Sequence, residues 1–204
     1  MDRTDGDRDD RDDGGDVDDA EAPRTSDPLA PDSDPEDLLG EMLAAGVLRE
    51  DDAGDLFLAD AFADAWTDEM ERLRAFDHAD LIAATAQAVP FEATGERAYG
   101  GIRVEGEAGV AWLRPANAIA DVAAVLAMDD FGVPAAVQAP AATPLRLFTP
   151  ECPVCGGGVE SRLSSDGYAD EIPGQGSNRR VLACVDCGAE VHELAAPVDG
   201  EAEP

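Results

Sequence analysis

Two Cys-x-x-Cys pairs, Cys152–Cys155 and Cys184–Cys187, stand 28 residues apart near the C-terminal end of this chain, and nothing else in the sequence constrains the fold as tightly. Two residues between cysteines allow a tight turn that aims both thiols at one point. The glycine directly after each pair, Gly156 or Gly188, lets the backbone take positive φ and turn N–H groups toward the sulfurs. Two such turns facing each other complete a tetrahedral shell of four sulfurs, so Cys152, Cys155, Cys184 and Cys187 are the candidate ligands of one metal ion. Four thiolates leave no open position for water, which makes the expected ion structural rather than catalytic. Ion binding worth about 10–16 kcal/mol in comparable peptides would supply much of the folding energy of so small a module.

The 28 residues exceed the roughly 15–20 of a compact two-pair module. The excess is assigned to the polar, Gly-containing stretch from Ser164 to Asn178, read as a loop. Val159 to Leu163, Arg179 to Ala183 and Val191 to Leu194 read as strands around it. The motifs Cys152-Pro153-Val154-Cys155-Gly156 and Cys184-Val185-Asp186-Cys187-Gly188 resemble the CPxCG and CxxCG knuckles of the zinc-ribbon superfamily, over about residues 148–195. Arg180 to Val191 is also similar to the second knuckle and strand of transcription-factor ribbons. The resemblance implies a zinc ribbon over 151–195, Zn2+ as the ion, and a macromolecular-interaction role, regulatory or transcription-associated. The alternative is a rubredoxin-like iron electron carrier using the same four cysteines. Rubredoxins surround their metal with several aromatics, whereas Tyr168 is the only one in this stretch, which favours zinc.

Charge sets the second constraint. The chain carries 46 acidic against 14 basic residues, a net of −32, and every basic residue is Arg. Such a surface repels itself at low ionic strength, whereas at about 1 M salt the Debye length falls to about 3 Å and screens most of that repulsion. The acids are spread along the whole chain, so the expected cause is adaptation to a salt-rich cytoplasm; the composition resembles that of proteins from extremely halophilic archaea. The N-terminus lacks the basic start and apolar stretch of a signal peptide. The longest apolar stretch, Ala116 to Met128, is interrupted by Asn117 and Asp121 and is too short to span a bilayer. The expected location is cytoplasmic, with no membrane. Paired cysteines there indicate metal binding rather than disulfides.

The expected class is α+β, a small mixed helix and hairpin domain followed by the ribbon. Residues 1–34 read as a disordered acidic leader, 35–132 as the mixed domain, 133–150 as a Pro-rich surface linker, 151–195 as the ribbon and 196–204 as a disordered tail. In the mixed domain Asp34-Pro35 opens a helix that Gly46 ends. A hairpin around Asp51 to Asp55 follows, then a helix bearing Phe62, Trp66, Met70, Leu73 and Phe76 on one face. A third helix runs from about Asp77 to Val89. Ile102 to Leu113 reads as a second hairpin, and a helix from about Pro115 ends before Gly132 and Pro134.

Other candidates are weaker. His192 could replace a ligand but, with four cysteines present, reads as an ordinary strand residue, and His78 as a helix-start residue. Gly174 to Arg180 lacks the Walker lysine and its strand–helix context, so it reads as a loop, although Arg179 and Arg180 are the only adjacent basic pair and could meet a phosphate. Residues 38–150 hold 19 acids against 7 Arg, a surface that would repel nucleic acid. Trp66 and Trp112 lie in apolar patterns and read as core anchors. With no nucleophile–base constellation in view, the chain is expected to be non-enzymatic, with an unidentified macromolecular partner, protein favoured over nucleic acid.

Overall fold

The computed structural model describes residues 27–29, 33–164 and 179–194. Among them the chain forms five α-helices and three small antiparallel sheets, the mixed α+β class expected. Helix α1 (Pro35–Ala44) begins where the Asp34 carboxylate accepts from the N–H groups of Glu36 at 2.9 Å and Asp37 at 3.4 Å. The hairpin β1 (Leu48–Glu50) and β2 (Leu56–Leu58) pairs Leu48 with Leu58. Helix α2 (Asp60–Arg74) buries Phe62, Trp66, Met70 and Leu73, one stripe at helical spacing. Helix α3 (His78–Gln87) starts on the carboxylate of Asp77, which accepts from the N–H of Asp80 at 2.9 Å.

A meander of β3 (Ala93–Ala98), β4 (Gly101–Gly106) and β5 (Gly109–Leu113) follows, in that spatial order. Tyr99 and Gly100 join β3 to β4 with φ of 49° and 75°; two positive φ angles in a two-residue loop match the twist of a hairpin. Strand β3 goes beyond the expected hairpin. Its sequence, Ala-Thr-Gly-Glu-Arg-Ala, has little apolar alternation, so pairing with β4 rather than its own pattern makes it a strand.

The core is built around α4 (Pro115–Asp130). Its residues from Ala116 to Val125, with Ala127 and Met128, are all buried, so this helix has no solvent face over most of its length. Small alanines let α2 approach closely enough for the Trp66 indole N–H to donate to the carbonyl of Ala120 at 2.9 Å. Trp112 is likewise a core residue whose indole N–H donates to the carbonyl of Ala98 at 3.0 Å.

The expected surface linker over 133–150 is corrected here. Ala135–Leu145 is helix α5, followed by a 3-10 turn, Arg146–Phe148, and both join the core. Pro140 and Pro144 stand four residues apart on one side of the helix, so the carbonyls of Ala136 and Pro140 that they leave without a donor lie on the outer side, while Ala139, Ala142 and Leu145 are buried. Arg146, 3% exposed, reaches the fully buried Asp121 of α4, its Nε donating to Oδ1 at 2.6 Å and its Nη2 to Oδ2. Burial pushes the Asp121 pKa up, against the pull of Arg146.

A second correction concerns the leader. Asp27 and Leu29 are bound to the domain: the Asp27 N–H donates to the Trp112 carbonyl and its carboxylate accepts from the Trp112 N–H, both at 2.8 Å, and Leu29 joins the core. Residues 1–26 and 30–32 of the expected leader, residues 165–178 of the loop and the tail lie outside the described residues. Among the described residues no helix is long and apolar enough to cross a membrane.

Candidate metal centre

The last sheet holds β6 (Val159–Leu163), β7 (Arg180–Cys184) and β8 (Glu190–Leu194), in that order and antiparallel. Each cysteine pair sits in a turn at its end, and the two turns repeat one hydrogen-bond pattern. The N–H of Cys152 donates to the carbonyl of Gly157 at 2.8 Å, and that of Gly156 back to Cys152 at 2.9 Å. In the second turn Cys184 donates to Ala189 at 2.9 Å and Gly188 back to Cys184 at 3.2 Å. Gly156 and Gly188 take φ of 74° and 79°, the conformation for which a glycine after each pair was expected.

The four sulfurs lie within 4.8 Å of one another. Cys152 and Cys187 are 3.6 Å apart and Cys155 and Cys184 3.5 Å apart, so each close pair crosses between the turns. A tetrahedral ion with metal–sulfur bonds of about 2.3 Å separates its ligands by about 3.8 Å, and the cluster fits that shell. The four cysteines are therefore positioned to hold a metal ion. Backbone N–H groups of Val154, Asp186 and Cys187 approach the sulfurs at 3.4, 3.4 and 3.5 Å, favouring thiolate charge. The two sides differ. Burial pushes the Cys152 thiol up to about 12. Burial also opposes the Cys184 thiolate, but the Cys187 and Asp186 N–H groups, with the Cys155 and Cys152 thiols, outweigh it and bring Cys184 to about 7.

Residues remote in sequence anchor this module to the core. From the end of α2, Arg74 donates through Nη2 to the Cys152 carbonyl at 2.9 Å and through Nε to the Pro153 carbonyl at 3.1 Å, and it pairs with Glu151. At the start of α4, Asn117 donates to the Val191 carbonyl at 2.6 Å, and Arg114 pairs with Glu190 at 2.8 Å. Burial works against the Glu190 carboxylate, but the Ser164 hydroxyl and Arg114 keep its pKa below the usual range. Neither Arg74 nor Arg114 stood out in the sequence, Asn117 did so only as a break in an apolar stretch, and no local motif marks any of them.

The remaining candidates lie outside the sulfur cluster, on or beside the sheet and on α3. His192 is on β8 and pairs in register with Leu182, outside the four-sulfur cluster. Burial and the nearby Arg146 lower its pKa. Arg179 bonds Glu193 at 3.1 Å and lies 3.7 Å from Glu190, so carboxylates of the chain itself occupy it; Arg180 is exposed. His78 is the first residue of α3.

Fold and cluster together define a small α+β protein with a four-cysteine site able to hold a metal ion. Residues 34–147 match a family model described as the central domain of a family of unknown function (DUF8054), more than half of the chain, and the chain belongs to that family. The match runs from the cap of α1 through α5 into the 3-10 turn and stops before the first cysteine. No curated protein and no solved structure matches the chain.

Proposed function

We propose that Cys152, Cys155, Cys184 and Cys187 hold one structural zinc ion in a ribbon-type module, and that the protein is a non-enzymatic interaction protein of a salt-rich cytoplasm. The observation that carries this reading is the sulfur cluster, with all four Sγ atoms within 4.8 Å and the two close pairs near tetrahedral spacing. The ion would supply cross-linking energy to a sheet with few apolar residues of its own, chiefly Val181, Ala183 and Val191 in its buried set.

An interaction role is supported by the tips of the knuckles. Val154 and Val185, one residue inside each Cys-x-x-Cys pair, are exposed, as is Leu163 on β6. Apolar side chains held on a rigid turn suit a protein surface better than a phosphate backbone. The net charge of −32 and the carboxylate partners of Arg179 favour protein over nucleic acid as well. The alternative of a rubredoxin-like iron site draws on the same geometry and is separated from zinc by colour.

The test is elemental analysis with a visible spectrum on untagged protein purified in high salt. About one zinc per chain without colour supports the proposal. Iron with a reducible visible band overturns it in favour of electron transfer, and absence of any metal removes its basis. A partner recovered by pull-down should be lost with Cys184→Ser; retention would move the interaction to the central domain.

A further inference from the structure

A half-open cavity of about 130 Å3 lies where β7 and β8 meet α4 and α5. Two buried polar atoms on its lining lack partners. Asn117 is 4% exposed; its Nδ2 is engaged by Val191, while its Oδ1 is buried with no hydrogen bond. The hydroxyl of Thr143 is buried and unpartnered too. Arg146 also lines the cavity; it directs Nε and Nη2 to Asp121, so Nη1 is its one guanidinium nitrogen not spent on that pair. Folded proteins rarely leave such atoms bare, so these need a partner from outside the chain.

The kind of partner follows from what they lack. Asn117 Oδ1 accepts only and requires a donor; Arg146 Nη1 donates only and requires an acceptor; the Thr143 hydroxyl can serve either. Lining charges balance, with Arg114, Arg146 and Arg179 set against Glu190, Glu193 and the Asp121 behind Arg146. A lone anion or cation would upset that balance. A molecule carrying both charges would keep it and make charge-assisted bonds at each end. The small volume suits a small occupant, such as glycine or serine.

We propose that the cavity between the cysteine module and helices α4 and α5 binds a small zwitterionic α-amino acid, its ammonium on Asn117 Oδ1 and its carboxylate on Arg146. Thr143 bonds either end. The site rests on the metal reading in one respect, because the ion holds β7 and β8 against α4.

Thr143→Val is the discriminating variant, since it removes an unpartnered hydroxyl without changing shape. Zinc-loaded full chain in 2 M potassium chloride is titrated calorimetrically with glycine and with L-serine, and the variant in parallel. Saturable binding is expected, weakened about tenfold in Thr143→Val, while the unliganded Tm of the variant is unchanged or higher. No binding of either probe to metal-loaded protein overturns the proposal. So does equal binding of acetate or acetamide, undiminished binding by the variant, or a crystal structure with saturating glycine that shows only water on Asn117 and Thr143. Metal content measured on the same sample keeps failure of this site distinct from failure of the metal centre.

Discussion

Arg146→Met is the substitution that most sharply tests the placement of the 133–150 segment. Arg146 and Asp121 have side-chain exposures of 3% and 0%, and two hydrogen bonds join them. Removing the guanidinium strands a carboxylate beside α5, a change that costs about 3–5 kcal/mol, against a typical total stability of about 5–15 kcal/mol. A second route gives a similar ceiling. The stranded Asp121 can escape by taking a proton, and protonating a carboxyl of ordinary pKa near 3.9 at pH 7 costs about 4 kcal/mol. The direction of the pH effect follows. In the variant the folded pKa of Asp121 is raised above the unfolded one. The proton-linked stability is thus fully present below about pH 3.9 and is lost as pH rises through the folded value. The penalty should therefore be smaller at pH 6 than at pH 7. Urea unfolding followed by tryptophan fluorescence in 2 M potassium chloride reads it, and Asp121→Leu combined with Arg146→Met should recover most of the loss. High salt should change little, because the pair is buried. A loss below about 1 kcal/mol for Arg146→Met, or a double variant as unstable as the single, would refute the argument that this segment is core rather than linker.

Other outcomes are expected. Arg74→Ala removes donors to the carbonyls of Cys152 and Pro153, and should lower metal affinity about 10- to 100-fold in competition with a chromophoric chelator, leaving the stoichiometry unchanged. His192 has a pKa lowered by burial and by Arg146, so its contribution to stability is present above the unfolded value of about 6.5 and is lost as pH falls. The urea midpoint should accordingly fall more between pH 7.5 and 6 in the wild type than in His192→Gln, provided zinc is held saturating. With 46 acids against 14 arginines, the midpoint should rise from about 0.1 to 1 M potassium chloride as the Debye length shrinks from about 10 to 3 Å; a flat response would remove self-repulsion as the destabilising force.

The parts of the fold legible in the sequence are those written in local chemistry. Asp34 and Asp77 mark helix starts because a short carboxylate can satisfy the N–H groups two or three residues on. Phe62, Trp66, Met70 and Leu73 mark a buried face because their spacing follows the helical turn. Strand β3 was illegible, since its partner β4 rather than its own residues makes it a strand. Helix α5 was masked by its prolines. Proline punctuates a chain read residue by residue, but Pro140 and Pro144 share the outer side of a helix whose alanines are buried.

The same division runs through the site. The cysteines could be paired on paper because each turn is closed within six residues, and Gly156 and Gly188 complete the pattern. What docks the module could not, since Arg74 meets the first knuckle across 77 to 79 residues and Asn117 meets β8 across 74. Arginines in a strongly acidic chain read as ordinary surface residues, and Asn117 as a mere break in an apolar stretch, until the fold supplies their carbonyl and carboxylate partners. Their engagement alters the reading of the metal as well. An ion in a ribbon on a free linker would stabilise only the ribbon. Here Arg74, Arg114 and Asn117 tie both knuckle and sheet to α2 and α4, so ordering of the sulfur shell is coupled to the helix at the centre of the core.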